Sequence, residues 1–69
     1  MQTKDYENRI NNIIINQKEA TIFSIQYAYE QLYNKFLNGS FINVLINHLI
    51  KQHKIKKIAI NKVPYYYAI

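Results

Sequence analysis

Sixty-nine residues with no cysteine and 49% apolar content make one small domain over 1–69, and exclude disulfides, thiolate metal sites and a disordered chain. No apolar run approaches the ~20 residues of a membrane span, and the opening MQTKDYENRI lacks the basic start and apolar core of a secretory signal, so a soluble cytoplasmic protein is expected. The net charge of +5 is confined to one end: residues 1–39 carry Lys4, Arg9, Lys18 and Lys35 against Asp5, Glu7, Glu19 and Glu30, whereas 40–69 carry Lys51, Lys54, Lys56, Lys57 and Lys62 with no acid, which points to an anionic partner such as nucleic acid or a lipid surface.

A first helix is predicted from a cap at Thr3 or Asp5 to about Gln17. Asp5 and Glu7 sit in its opening turn, where carboxylates favour the helix dipole. Tyr6, Ile10, Ile13 and Ile14 form an apolar stripe on the 3.6-residue period. Thr21-Ile22-Phe23, β-branched and aromatic, reads as a short strand or extended link. Ser24 then offers a cap for a second helix, whose stripe is Ile25, Ala28, Tyr29, Leu32, Tyr33 and Phe36. Asn38-Gly39-Ser40 reads as a tight turn, with Gly39 in the left-handed position and Ser40 capping the third helix. That helix is expected from Phe41 to about Gln52. Phe41, Ile42, Leu45, Ile46 and Leu49 share one arc, and Ser40, Asn43, Asn47, Lys51 and Lys54 share the opposite one, with Val44 at its edge. Beyond His53 the period becomes two. A strand with Ile58 and Ile60, a turn over Asn61-Lys62-Val63-Pro64 and a second strand of Tyr65-Tyr66-Tyr67-Ala68-Ile69 make a hairpin from about Lys57.

The expected fold is therefore mainly α with a small β hairpin (α+β), in the order helix, strand, helix, helix, strand, strand. That order resembles the winged helix-turn-helix fold. The resemblance implies that the strand at Thr21–Phe23 joins the C-terminal hairpin in one small sheet, and that the third helix is a recognition helix. The wing departs from the pattern in having no glycine at its tip and only Lys62 as a tip charge. In size, basic C-terminal half and richness in Asn, Ile, Lys and Tyr, the chain is also similar to the small middle-protein family of staphylococcal cassette chromosomes. Those are winged-helix proteins that accompany a family-A DNA polymerase and bind single-stranded DNA. This likeness implies a replication accessory on a mobile genetic element, with DNA and a DNA polymerase as partners, single strands favoured over duplex.

The residues themselves support a nucleic-acid reading next to plainer ones. On a helix laid in a major groove, Asn43 and Asn47 can pair with adenine while Lys51 and Lys54 contact phosphate or guanine, with Ser40 on the same polar ladder and Lys56, Lys57 and Lys62 extending the basic surface. The plainer reading is a solvated helix face. Arg9 is the only arginine, far in sequence from this face, and lysines bind phosphate as point charges, so weak sequence specificity is expected. Tyr65 and Tyr67 face one way on a strand and Tyr66 the other, so some ring is expected to show. Exposed rings stack on bases or anchor a protein partner; the alternative is packing against the core with the hydroxyl in water.

His48 and His53, roughly 140° apart on a helix, do not converge on a metal, and solvated or phosphate-facing histidines are expected. No phosphate-binding glycine loop, metal site, catalytic carboxylate pair or cofactor motif is legible, so no enzyme is expected. A chain this short buries only about 60% of its unfolded surface, which makes a homodimer or a larger partner the expected support. The competing readings are a protein-interaction subunit that docks through its tyrosine and apolar surface, and a membrane-surface peptide built on the basic helix at 41–57. The two earlier helices, which read as globular, weigh against the last.

Overall fold

The computed structural model describes residues 3–69. Within them lie three helices, α1 (Lys4–Gln17), α2 (Ile22–Tyr33) and α3 (Gly39–Lys51), followed by an antiparallel hairpin of β1 (Ile55–Ile60) and β2 (Val63–Ala68). The order is thus helix, helix, helix, strand, strand. The α+β class stands, and the expected strand at Thr21–Phe23 does not form. Thr21 instead caps α2: its Oγ1 accepts from the Ser24 backbone N–H at 3.1 Å, while Ser24 Oγ accepts from the Thr21 N–H at 2.9 Å. This reciprocal capping box satisfies two orphan donors, and it outweighs the β preference of a three-residue β-branched run. What remains of the strand is a single bridge at Ala20. Ala20 and Tyr66 exchange both backbone hydrogen bonds, at 3.0 and 2.7 Å, and so tie the α1–α2 connection to the edge of β2.

The turn between α2 and α3 also differs from expectation. α2 stops at Tyr33, where Asn34 takes the left-handed conformation (φ 52°) and donates to the Glu30 carbonyl. Asn38, not Ser40, caps α3, its side chain accepting from the Ser40 N–H at 2.7 Å. Gly39 is the first residue of α3 and has no positive φ. The sequence stripe of α2 therefore overshoots: Ile25 and Tyr29 are buried, but Leu32 and Phe36 are 64% exposed, and Leu37 in the following loop fills the core in their place.

The core joins the stripe of α1 (Ile10, Ile13, Ile14), Ile25 and Tyr29 of α2, and Ile42, Leu45, Ile46 and Leu49 of α3. At roughly 1.5–3 kcal/mol for each fully buried large side chain, these faces supply most of the driving force for folding. Ile55 and Tyr66 close that core from the hairpin, which begins two residues earlier than the sequence suggested. α3 ends in a Schellman motif: the His53 N–H donates to the Ile50 carbonyl, the Lys54 N–H to the Leu49 carbonyl, and His53 itself is left-handed (φ 59°). The hairpin turn is a two-residue turn, Asn61-Lys62, with both φ positive (52° and 67°), as a type I′ turn requires. Val63 and Pro64 belong to β2, paired with Ile60 and Ala59.

Candidate nucleic-acid interface

The amphipathic spacing of α3 fixes the first part of the site. With Ile42, Leu45, Ile46 and Leu49 buried, Ser40, Asn43, Asn47 and Lys51 are left exposed along one arc of the helix, with Val44 (49% exposed) beside them. The ladder ends at Lys51. Lys54 is not on the helix, because the Schellman motif turns the chain at His53.

The register of the hairpin divides the rest. Ile55, Lys57 and Ala59 share a face with Ala68, Tyr66 and Pro64; Lys56, Ile58 and Ile60 share the other with Tyr67, Tyr65 and Val63. Ile55 and Tyr66 are buried, so the first face looks inward to the helices. Lys57 and Ala59 on that same face are exposed, which shows that the helices cover only its far end. Lys56 and Lys57 therefore project to opposite sides of the hairpin, and Lys62 stands at its tip. The five exposed lysines do not form one flat patch.

Tyr66, expected among the stacking or partner-binding tyrosines, is a core residue at 2% exposure; burial pushes its phenol up from the ordinary value. Tyr65 and Tyr67 are half-buried on the outer face, and Lys56 lies directly across from Tyr67. Tyr67 Oη donates to Glu19 Oε2 at 3.0 Å; that bond first, then burial, raises its phenol.

Electrostatically the two ends of the chain differ. None of the five lysines at 51, 54, 56, 57 and 62 has a side-chain hydrogen bond or a carboxylate within 4.0 Å among the described residues. The one histidine–carboxylate contact among the described residues is His48 Nδ1 to Glu7 Oε2 at 3.2 Å, joining α3 to α1. His48 is exposed, as expected of a solvated histidine, and its ring also meets the Glu7 carboxylate. Burial works to raise the Glu7 carboxyl, but hydrogen bonds from His48, Thr3 and Gln52 prevail and hold it below its ordinary value. No group of three or more His, Asp or Glu that could hold a metal occurs among the described residues.

Sequence reasoning missed a second cationic cluster. Arg9 Nη1 donates to Tyr29 Oη at 2.9 Å, and its guanidinium lies 4.4 Å over the Tyr33 ring; Lys35 Nζ donates to Tyr6 Oη at 2.7 Å. The signal was present as two helical pairs, Tyr6/Arg9 and Tyr29/Tyr33, but nothing in the sequence shows that α1 and α2 bring them together. No protein-family model matches this sequence, and no curated protein is similar enough to count as a relative.

Proposed function

We propose that this chain is a small cytoplasmic nucleic-acid-binding protein of winged helix-turn-helix type, with low sequence specificity and single-stranded DNA as its preferred ligand. It acts as an accessory to a larger replication enzyme such as a DNA polymerase. The observation that carries the reading is the set of five exposed lysines with no acceptor of their own, all on or after α3, with half-buried Tyr65 and Tyr67 beside Lys56. Lysines left unpaired within the fold are free to release counterions from a polyphosphate. The preference for a single strand follows from Lys56 and Lys57 projecting to opposite sides of the hairpin. A rigid duplex laid on one side reaches one of them, whereas a flexible strand passing round the hairpin reaches both and can stack bases on the outer tyrosines. The link to a replication enzyme rests on the family resemblance alone.

The test is fluorescence anisotropy of labelled single-stranded and duplex oligonucleotides across a salt series. Neutralising four or five phosphates gives a log–log slope of about −3 on a single strand and about −4 on duplex. Changing Lys51, Lys54, Lys56 and Lys57 together to Gln removes most of that slope without unfolding the chain, since none of the four is buried. A slope near zero for the unaltered protein rejects backbone binding; tighter binding to duplex moves the contact to the Asn43/Asn47 face of α3.

One observation favours a second reading. The outer hairpin face also carries Ile58, Ile60 and Val63, each 42–46% exposed, next to Tyr65. An apolar strand face rimmed by lysine suits a protein partner. Under this reading Tyr65→Ala loses the partner and leaves DNA affinity unchanged.

A further inference from the structure

We propose that the face formed by α1, α2 and the loop after α2 holds a second, separate anion site, in which Arg9, Lys35 and the Tyr6 hydroxyl bind a phosphate group. The site does not involve α3 or the hairpin lysines, and it stands or falls independently of them.

The cluster is built from donors. The phenol oxygen of Tyr29 accepts from Arg9 and that of Tyr6 accepts from Lys35. Each phenol therefore keeps its own O–H proton to give, and no acceptor takes either proton among the described residues. Arg9 spends one N–H of its fork on Tyr29, and Lys35 one on Tyr6; the remainder have no protein partner there. Tyr29 is fully buried and serves to position the guanidinium, while Tyr6 is half-buried and Lys35 exposed, so those two can meet a ligand.

The charges are equally one-sided. The Tyr6 and Tyr29 rings stack at 6.3 Å, which sets the two cations on neighbouring phenols. Lys35 feels the Tyr6 hydroxyl first, which raises its ammonium, and the charge of Arg9, which opposes that rise. No carboxylate approaches either cation within 4.0 Å among the described residues; Asp5 acts on Arg9 only at longer range. Two cations held near each other repel, and a fold that places them together without an acid between them leaves that repulsion for a ligand to relieve. Arg9 is also held in place: its guanidinium carbon lies over the Tyr33 ring, 4.4 Å from the centroid, while Nη1 is bonded to Tyr29, and the two contacts restrict the fork before a ligand arrives.

An all-donor, doubly positive cluster with a fixed guanidinium fits an acceptor-only oxyanion of several oxygens. A phosphate group meets that description, either as a free phosphate or as part of a nucleic-acid backbone.

The experiment is an NMR titration of the full chain, first with sodium phosphate at constant ionic strength, then with a short oligo-dT. Saturable shifts of the Arg9 side-chain N–H signals and of the Tyr6 and Lys35 amides are expected in at least one arm. Movement with oligo-dT but not inorganic phosphate identifies a backbone phosphate as ligand; the reverse identifies a small phosphate. Losing one charged hydrogen bond in Lys35→Gln weakens binding roughly tenfold or more. Lys35 is an exposed loop residue, so this variant keeps the fold even if Arg9→Gln, which strips Tyr29 of its partner, does not. The quadruple variant at Lys51, Lys54, Lys56 and Lys57 retains the phosphate shifts. Absence of saturable shifts at Arg9 in both arms, or equal shifts in Lys35→Gln, overturns the proposal and leaves the cluster as a clasp between α1, α2 and their loop.

Discussion

The neutral first 39 residues and the basic remainder spend their charges in opposite ways. In the first part Glu7, Arg9, Glu19 and Lys35 each hold a hydrogen bond to a different element: His48 on α3, Tyr29 on α2, Tyr67 on β2 and Tyr6 on α1. In the second, all five lysines are exposed and hold nothing among the described residues. A charge used inside the fold gains a fixed geometry. One left outside keeps its hydration and mobility until an anion takes it. The difference teaches that net charge by itself is a poor guide to where unpaired positive charge collects. The first part sums to zero and yet contains Arg9 and Lys35 as a local positive pair, because none of its acids comes within 4.0 Å of either among the described residues and Asp5 reaches Arg9 only at longer range.

The largest expected effect lies among the tyrosines that the two parts share. Tyr66→Ala removes a ring that is 2% exposed, on a strand whose backbone is bonded to Ala20. Loss of a buried aromatic costs about 3–5 kcal/mol, a large part of the stability of so small a domain. Tyr65→Ala, half-buried on the outer face, leaves no closed cavity and costs about 1–2 kcal/mol, well below the Tyr66 loss. Chemical denaturation measures both. Equal losses would mean that the hairpin faces are assigned the wrong way round.

Lys62→Gly sharpens the comparison because it separates stability from binding. Lys62 has φ 67° and makes no side-chain hydrogen bond among the described residues, so its side chain contributes nothing to the fold and its Cβ is a burden in the turn. Glycine relieves about 1 kcal/mol of left-handed strain. On the proposed backbone binding, one phosphate contact is lost as well, and the salt slope falls in magnitude by roughly 0.7–0.9. A more stable protein that binds DNA less steeply is the expected result. If stability falls, the tip lysine is held by a contact within the fold.

Glu7→Gln probes a charge of the opposite kind, one built into the fold. The Glu7 carboxyl titrates lower folded than unfolded, so its contribution is fully present above the ordinary carboxylate range and is lost as pH falls through that range and below. The pair with His48 is partly exposed, so the cost at neutral pH stays below about 1 kcal/mol. Stability measured from pH 7 into acid is expected to show the two proteins converging. Parallel curves would assign the acid sensitivity to other carboxylates.

Much of this fold was legible because buried faces follow simple periods. Ile10, Ile13 and Ile14, and Ile42, Leu45, Ile46 and Leu49, are buried as their spacing required, and Ser40, Asn43, Asn47 and Lys51 are exposed together for the same reason. The misreadings fall at element ends, where one hydrogen bond decides. Thr21 pairs with Ser24 to start a helix instead of a strand, and Asn34 ends α2 before Phe36 can turn inward. Tyr66 was placed correctly on the side of the strand opposite Tyr65 and Tyr67; which side is inward depends on the Ala20 bridge, a long-range contact that no local pattern carries. The Arg9–Tyr29 contact was invisible for the same reason.

The smallest effect sits at the junction of the two parts, and its sign tests the helix-turn-helix reading of that turn. Read from sequence, Gly39 is a left-handed closing residue, and alanine there would cost about 1–2 kcal/mol of strain. In the structure Gly39 has no positive φ and begins α3, and a Cβ at this position would meet Ile22 Cγ2 at 3.5 Å, an ordinary contact. The backbone can therefore keep its conformation. Alanine restricts the unfolded chain more than glycine does, which favours the folded state by about 0.4–1 kcal/mol. Thermal unfolding of Gly39→Ala is expected to shift upward by a few degrees, with α3 and its Asn43/Asn47/Lys51 face unchanged. A downward shift would return Gly39 to a left-handed turn and shorten α3 from its first residue, moving the cap from Asn38 to Ser40.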